Sequence, residues 1–318
     1  MNVKEIIQYR SIRQNTLKQY IRGGEKLAEK LGVKKLTIQL IKRRFADINS
    51  ILDTSTLHQK KAIITLLLLV VAPDKENPKD KLLHKELVNL LFIEDRKYQD
   101  ERSNNVFNKK EKKNWLEWDE VMNIREKLVE KYLYTKSFSD LENVIIISLY
   151  TIQRPRRLEY ADCIIIDEMD YMNTTLLNKT NNIYLVVGYT MYFSLGSNAT
   201  KTEINNNFQI ISVKEPLYDL LIEYIRLNKS IYLIRKKDGN KMTHPGLGSR
   251  LNKLFAPKKI SASMLRKIYI SNIPDNISWK QREIIAKEMG HSVTTAMKIY
   301  NKISSSESEE ADEDEVGL

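Results

Sequence analysis

Between Glu101 and Asn114 the chain reads ERSNNVFNKKEKKN, with one aromatic residue, four lysines and an arginine. A stretch this poor in apolar side chains cannot bury enough surface to join a core, so it divides the chain into two folding units. The 318 residues are enough for two domains that each bury a core of their own. The expected organisation is a helical N-terminal domain over 1–100, a basic linker over 101–114, a second domain over 115–303 and a tail over 304–318.

Helical spacing dominates the first part. Asn15 can cap a helix carrying Leu17, Tyr20, Ile21, Leu27 and Leu31, which Gly32 ends. A second helix is expected from about Lys35 to Leu52, with Ile38, Ile41, Phe45 and Ile48 on one face. Ser55 opens a third, apolar nearly all round at ITLLLLVV and therefore expected at the centre of its bundle, and Ala72-Pro73 stops it. A fourth runs from about Asp80 to Tyr98.

Beyond Trp115 the pattern is mixed. Helical periodicity appears at about 118–133 and 138–152. Two strand-like runs follow, YLVVGYTMYFSL (184–195) and FQIISV (208–213), expected as hairpin strands around the polar turn GSNATKTEINNN. A helix at about 215–227, a short strand SIYLI (230–234) and three or four helices complete the chain. The expected fold class is mainly α with a small antiparallel β-sheet.

Charge narrows the partners. The net charge is +11, although seven acids crowd between Glu307 and Glu315, so the rest of the chain carries +18. So basic a body attracts a polyanion, and nucleic acid is the usual one. The acidic tail has no apolar periodicity and is expected to be disordered. The longest apolar run, Ile63–Ala72, covers ten residues, about half of what a bilayer-spanning helix needs. Met1–Thr16 has no signal-peptide core. The single cysteine, Cys163, makes no internal disulfide and no CxxC metal site. The expectation is an intracellular protein of the cytoplasm or nucleus, with no membrane, metal, cofactor or small-molecule substrate.

The most specific string is MGHSVTTAMKIYNKI, Met289–Ile303. It resembles the final motif of the tyrosine recombinases, the phage integrases and their relatives, in which a Gly-His-Ser turn precedes a nucleophilic tyrosine; His291 and Tyr300 take those positions. Upstream, ISASMLRKIYISN resembles the second motif, H-x-x-R. Arg266 stands at the arginine, while Ser263 replaces the histidine. LYTIQRPRRLEYADCIIID resembles the first motif, an arginine three residues before an acid: Arg156 with Glu159 fits, and Arg157 competes for the same role. Lys201, between the two strand-like runs, stands where the family places a lysine on a hairpin turn. The resemblance spans about Trp115 to Ile303. The N-terminal region resembles the family's core-binding domain in class and position only.

The chemistry of these residue types is coherent. Breaking a phosphodiester without a metal needs an oxygen nucleophile and fixed cations for the charge on the phosphate. Arg156 and Arg266 can each offer a planar, permanently protonated fork to two phosphate oxygens. His291 can donate to the phosphate or help deprotonate the tyrosine, and Lys201 can protonate the leaving 5′ oxygen. Tyr300 would form a 3′-phosphotyrosyl bond that keeps the phosphodiester energy, so rejoining needs no ATP. Ser263 can donate one hydrogen bond but no charge, with Lys259 or Lys267 as possible compensation.

The resemblance implies strand exchange on double-stranded DNA, through a Holliday junction in a homo-tetramer. Two other functions remain open. One is a type IB topoisomerase, which shares the tyrosine chemistry. The other is a DNA-binding protein of the same fold that no longer cuts, for which Ser263 is the best support. The Lys/Asn/Ile-rich composition and the PRR motif suggest a mobile element or a virus.

Overall fold

A computed structural model describes residues 14–71, 78–103, 107–200, 207–274 and 276–293. Tyr300, Lys201 and the acidic tail, all singled out from the sequence, lie outside the described residues. The chain divides into two compact units, Met1–Asn104 and Asn105–Leu318.

The first unit is helical: α1 (Gln14–Lys30), α2 (Ile38–Arg43), α3 (Phe45–Asp53), α4 (Leu57–Val71) and α5 (Pro78–Ser103). The single helix expected over about 35–52 is two, because Arg44 leaves helical geometry (φ −111°, ψ 29°). Its guanidinium donates to the Leu31 carbonyl at 2.6 Å, and such a tertiary contact overrides helix propensity at one residue. α4 contributes Ile64, Leu66, Leu67, Val70 and Val71 to the core, where Leu27, Ile41, Ile48 and Leu87 meet it. Each fully buried aliphatic side chain stabilises the unit by about 1.5–3 kcal/mol before entropy is counted.

The second unit begins inside the segment expected to be a solvated linker. Asn108 caps a short helix, α6 (Lys109–Asn114), through a capping box with Glu111. Glu111 is buried and takes an ion pair from Lys267. The Asn114 side chain accepts from the Lys259 backbone N–H at 2.8 Å. These two contacts occupy Lys267 and the Lys259 backbone in structural roles. They also explain why so polar a sequence folds here: its hydrogen-bonding groups are satisfied by the body of the unit.

Next come α7 (Trp118–Thr135) and α8 (Phe138–Thr151). Every residue of α8 from Val144 to Thr151 is buried, making it the central helix of the unit. Its exit leads through a 3-10 turn, Leu158–Asp162, into β1 (Cys163–Asp167), a strand the periodicity did not reveal. Two short helices follow, α9 (Glu168–Asn173) and α10 (Leu176–Asn181), then β2 (Ile183–Val187), β3 (Met191–Gly196) and β4 (Phe208–Ser212).

The strand order is β1-β2-β3-β4. The sheet is mixed, which corrects the expected antiparallel one: β1 pairs with β2 in parallel, and the other two pairings are antiparallel. The cause is the α9–α10 crossover, which carries the chain back so that β2 starts at the same end as β1; parallel neighbours need a connection of this kind. The run 184–195 is itself a hairpin turning at 188–190, and 230–234 makes only an isolated bridge from Tyr232 to Ile164.

Gly196 closes β3 against the end of α10, its N–H donating to the Asn182 carbonyl at 2.9 Å. A β-carbon there would sit 2.2 Å from the Thr180 carbonyl oxygen and 2.6 Å from those of Asn182 and Lys179. Gly196→Ala is therefore expected to destabilise the protein by about 2–3 kcal/mol in urea unfolding. A change within about 0.5 kcal/mol, the usual range for a harmless surface substitution, would contradict the packing.

The remaining elements are α11 (Glu215–Leu227), α12 (His244–Leu254), α13 (Ala262–Ser271) and α14 (Trp279–Met289). Among the described residues, no helix is long and apolar enough to cross a membrane.

Candidate active site

The site is built around the C-terminal end of α14. Ser278 starts that helix with a capping box to Gln281. Gly290 ends it in the left-handed conformation (φ 71°, ψ 51°), a backbone state that glycine enters without steric cost. The turn closes with the His291 N–H donating to the Ala286 carbonyl at 3.0 Å. The Gly-His of the sequence motif is thus a helix-terminating turn, and the glycine aims the histidine.

A helix end leaves carbonyls without intrahelical donors and carries a partial negative charge. Here four consecutive carbonyls are met by side chains from elsewhere in the unit. Gln209 of β4 donates to Lys287 O at 3.1 Å. The Arg156 guanidinium donates to Glu288 O, Arg266 to Met289 O at 2.6 Å and Arg157 to Gly290 O at 2.9 Å. Arg156 and Arg157 come from a position more than 130 residues earlier. Three cations at a helix C-terminus are electrostatically favoured, which offsets part of the cost of removing them from water.

Arg156 is 1% exposed and Arg266 0%. Arg156 also holds Glu159 through its Nε at 2.7 Å, the i,i+3 pair that the first motif implies. Its buried Nη2 has no hydrogen-bond partner among the described residues. A buried guanidinium N–H in that state is suited to an incoming anionic oxygen. The Arg156 and Arg157 alternatives therefore divide: the first is buried with an open donor, and the second is half-buried and holds the turn. Tyr150 steadies the segment from α8, its hydroxyl donating to the Arg157 carbonyl at 2.9 Å.

Arg266 sits on α13, whose start Ser261 caps by accepting from the Met264 N–H at 3.2 Å. Ser263, one turn before Arg266, is exposed on the same helix. Sequence reasoning missed Gln209, Glu288 and Arg154. Arg154 lies 3.0 Å from the Glu288 carboxylate. Its place two residues before Arg156 was a usable signal, whereas Gln209 carried none, being one polar residue in a strand.

His291 is 8% exposed, with Nδ1 3.0 Å from the Ser292 carbonyl. Its pKa is pushed down from 6.5 to about 4, by burial first and then by the nearby Arg266, with Arg157 and Arg156 adding smaller effects. The folded-state value lies below the unfolded one, so as pH falls from about 6.5 to about 4 the unfolded chain takes up a proton that the folded chain refuses. Stability is lost across that window. His291→Gln is expected to flatten the fall in urea-unfolding free energy between those pH values. Parallel curves for the two proteins would exclude a depressed histidine.

No family model matches this chain, and no curated protein matches it. Among solved structures it is similar to a XerA recombinase, with 14% sequence identity, 99% of this chain and 98% of that chain covered, and a TM-score of 0.40. A likeness at that level carries no functional weight, and the site's own geometry is what bears on activity.

Proposed function

We propose that this chain is a site-specific DNA recombinase that cleaves and rejoins strands through a 3′-phosphotyrosyl intermediate at Tyr300. The observation that carries this reading is the convergence of Arg156, Arg157, Arg266 and His291 on one helix end, the end that leads directly into the segment bearing Tyr300. Arg156 and Arg266 clamp the scissile phosphate, and the charge growing on its oxygens falls between two fixed cations. His291, neutral in the free site near pH 7, accepts the tyrosine proton or donates to a phosphate oxygen. Lys201 protonates the 5′ leaving oxygen. An anion in the site raises the His291 pKa, so DNA binding itself favours the donating role.

On this reading the N-terminal unit and the basic body hold duplex DNA, and four copies assemble on it for paired strand exchange. The Lys/Asn/Ile-rich composition fits a chain carried by a mobile element or a virus.

The test is a library of random-sequence duplexes, each nicked so that a cleaved strand loses its short 3′ fragment and cannot be rejoined. Denaturation-resistant protein–DNA adducts are captured and their DNA sequenced. Adducts enriched in one motif support site-specific cleavage. Relaxation of any supercoiled plasmid without enriched motifs would favour the topoisomerase reading. Ser263, exposed and uncharged one turn before Arg266, favours a third: duplex binding with no adduct would make the chain a DNA-binding protein of this fold that does not cut.

A further inference from the structure

Strand β4 has two polar ties to the machinery described above. The Gln153 side chain, three residues before Arg156, donates to the Ser212 carbonyl at the end of β4 at 3.0 Å. Gln209, near its start, donates to the Lys287 carbonyl at 3.1 Å. The same Lys287 oxygen also accepts from the Gly290 N–H at 3.1 Å. One carbonyl therefore joins the strand to the left-handed turn that presents His291.

The side-chain chemistry at 209 suits this place. Gln209 is buried at 8% exposure, beside carbonyls already met by three guanidiniums. A fourth cation would add like-charge repulsion and compete for the phosphate, whereas an amide donates without adding charge. A carboxylate would face a carbonyl oxygen. β4 is also the strand that follows the 197–207 connection, in which Lys201 falls by sequence.

We propose that Gln209 is a positioning residue for the candidate active site: from β4 it holds the end of α14, and through it the arginine-bearing carbonyls and the His291 turn, in register with the sheet. This deepens the strand-cleavage reading and rests on it for its catalytic consequence. Loss of the amide donor frees the turn by a fraction of an ångström to an ångström, a misplacement that costs up to about a hundredfold in rate when it moves catalytic groups.

Three variants test it. Gln209→Met keeps the length without a donor, Gln209→Glu keeps the shape without a donor, and Gln209→His returns an N–H at nearly the same distance. The pairing of β4 with β3 runs through backbone groups, which all three substitutions keep. Thermal midpoints of Met and His are expected to stay close to wild type. Glu is expected to lower the midpoint because its carboxylate faces a carbonyl oxygen, and Gln209→Leu stands in should Met fail to fold. In the free protein, amide hydrogen exchange at Gly290 and His291 is expected to quicken about tenfold in Met and to return towards wild type in His.

On the nicked duplex, adduct formation is expected to slow ten- to a hundredfold in Met and to recover to within a few-fold in His. A purely structural role would not separate Met from His at equal thermal midpoint. Unchanged exchange in Met overturns the proposal, as does faster exchange with wild-type cleavage. A wild type that forms no adduct sinks the strand-cleavage reading instead, and amide exchange then decides on Gln209 alone.

Discussion

Tyr300→Phe is expected to abolish covalent adduct formation on the nicked duplex while leaving duplex affinity within about twofold. The substitution deletes one oxygen and keeps the ring, so the packing and charge that hold DNA are untouched. What is lost is the oxygen that, on the proposed reading, forms the phosphotyrosyl bond. Removing a covalent nucleophile has cost on the order of a millionfold in a protease, and a loss of at least about a thousandfold here is readily measured by gel. The wild-type product should be a protein-linked 3′ end and a free 5′ hydroxyl, which a polynucleotide kinase can label. An adduct that survives in Tyr300→Phe would assign the nucleophile to another of the 16 tyrosines.

Arg266→Met separates catalysis from stability. Adduct formation should fall by about 10²–10³, the usual cost of one electrostatic donor at a reacting centre. Arg266→Lys should rescue little, because one ammonium cannot span two phosphate oxygens. The fold should tolerate the change. Arg266 is fully buried close to Arg156, Arg157 and His291, so losing its charge relieves repulsion, and methionine refills most of the volume. Against that stands the Met289 carbonyl, which loses its 2.6 Å donor at a cost of about 1–3 kcal/mol. The two effects nearly offset, and the thermal midpoint should move by only about 5 °C either way.

An internal reporter accompanies the loss. Arg266 is the second cause of the depressed His291 pKa, after burial, so the variant's histidine should titrate nearer its ordinary value. Proton NMR of the imidazole across pH 4–7 reads this directly. An unmoved titration would mean that burial alone holds His291 neutral. A collapse of the fold would mean that Arg266 is a structural keystone whose catalytic role needs another variant.

Particular residues show where sequence reasoning reached and where it stopped. Local signals were readable: Gly32 just past the end of α1, the Gly-His turn after α14, and the run ITLLLLVV, apolar nearly all round, in α4. Arg266 stands among Met264, Leu265, Ile268 and Ile270, and it is wholly buried with them. The failures share a cause. β1 finds its pairing partner, β2, only beyond the α9–α10 crossover, so nothing next to it in the chain marks it as a strand. The capped helix at 109–114 looked like linker because its burial partners, Lys259 and Lys267, stand some 150 residues away.

What the sequence by itself determined is local and chemical: which segments are helical, that the body is strongly basic, and that histidine, arginines and a tyrosine stand in an order that resembles the tyrosine recombinases. Side-chain period, capping and charge act within a few residues, and so they can be read along the chain. Only the tertiary structure decided that the sheet is mixed, that Arg156 is buried while Arg157 is half-buried, and that Gln209 reaches the same helix end as both. The mixed sheet follows from the α9–α10 crossover, and the other two facts from one helix end, whose carbonyls gather donors from positions 23 to 133 residues away. Hydrogen bonds of that span leave no trace in spacing or composition, because the groups meet only when the chain has folded.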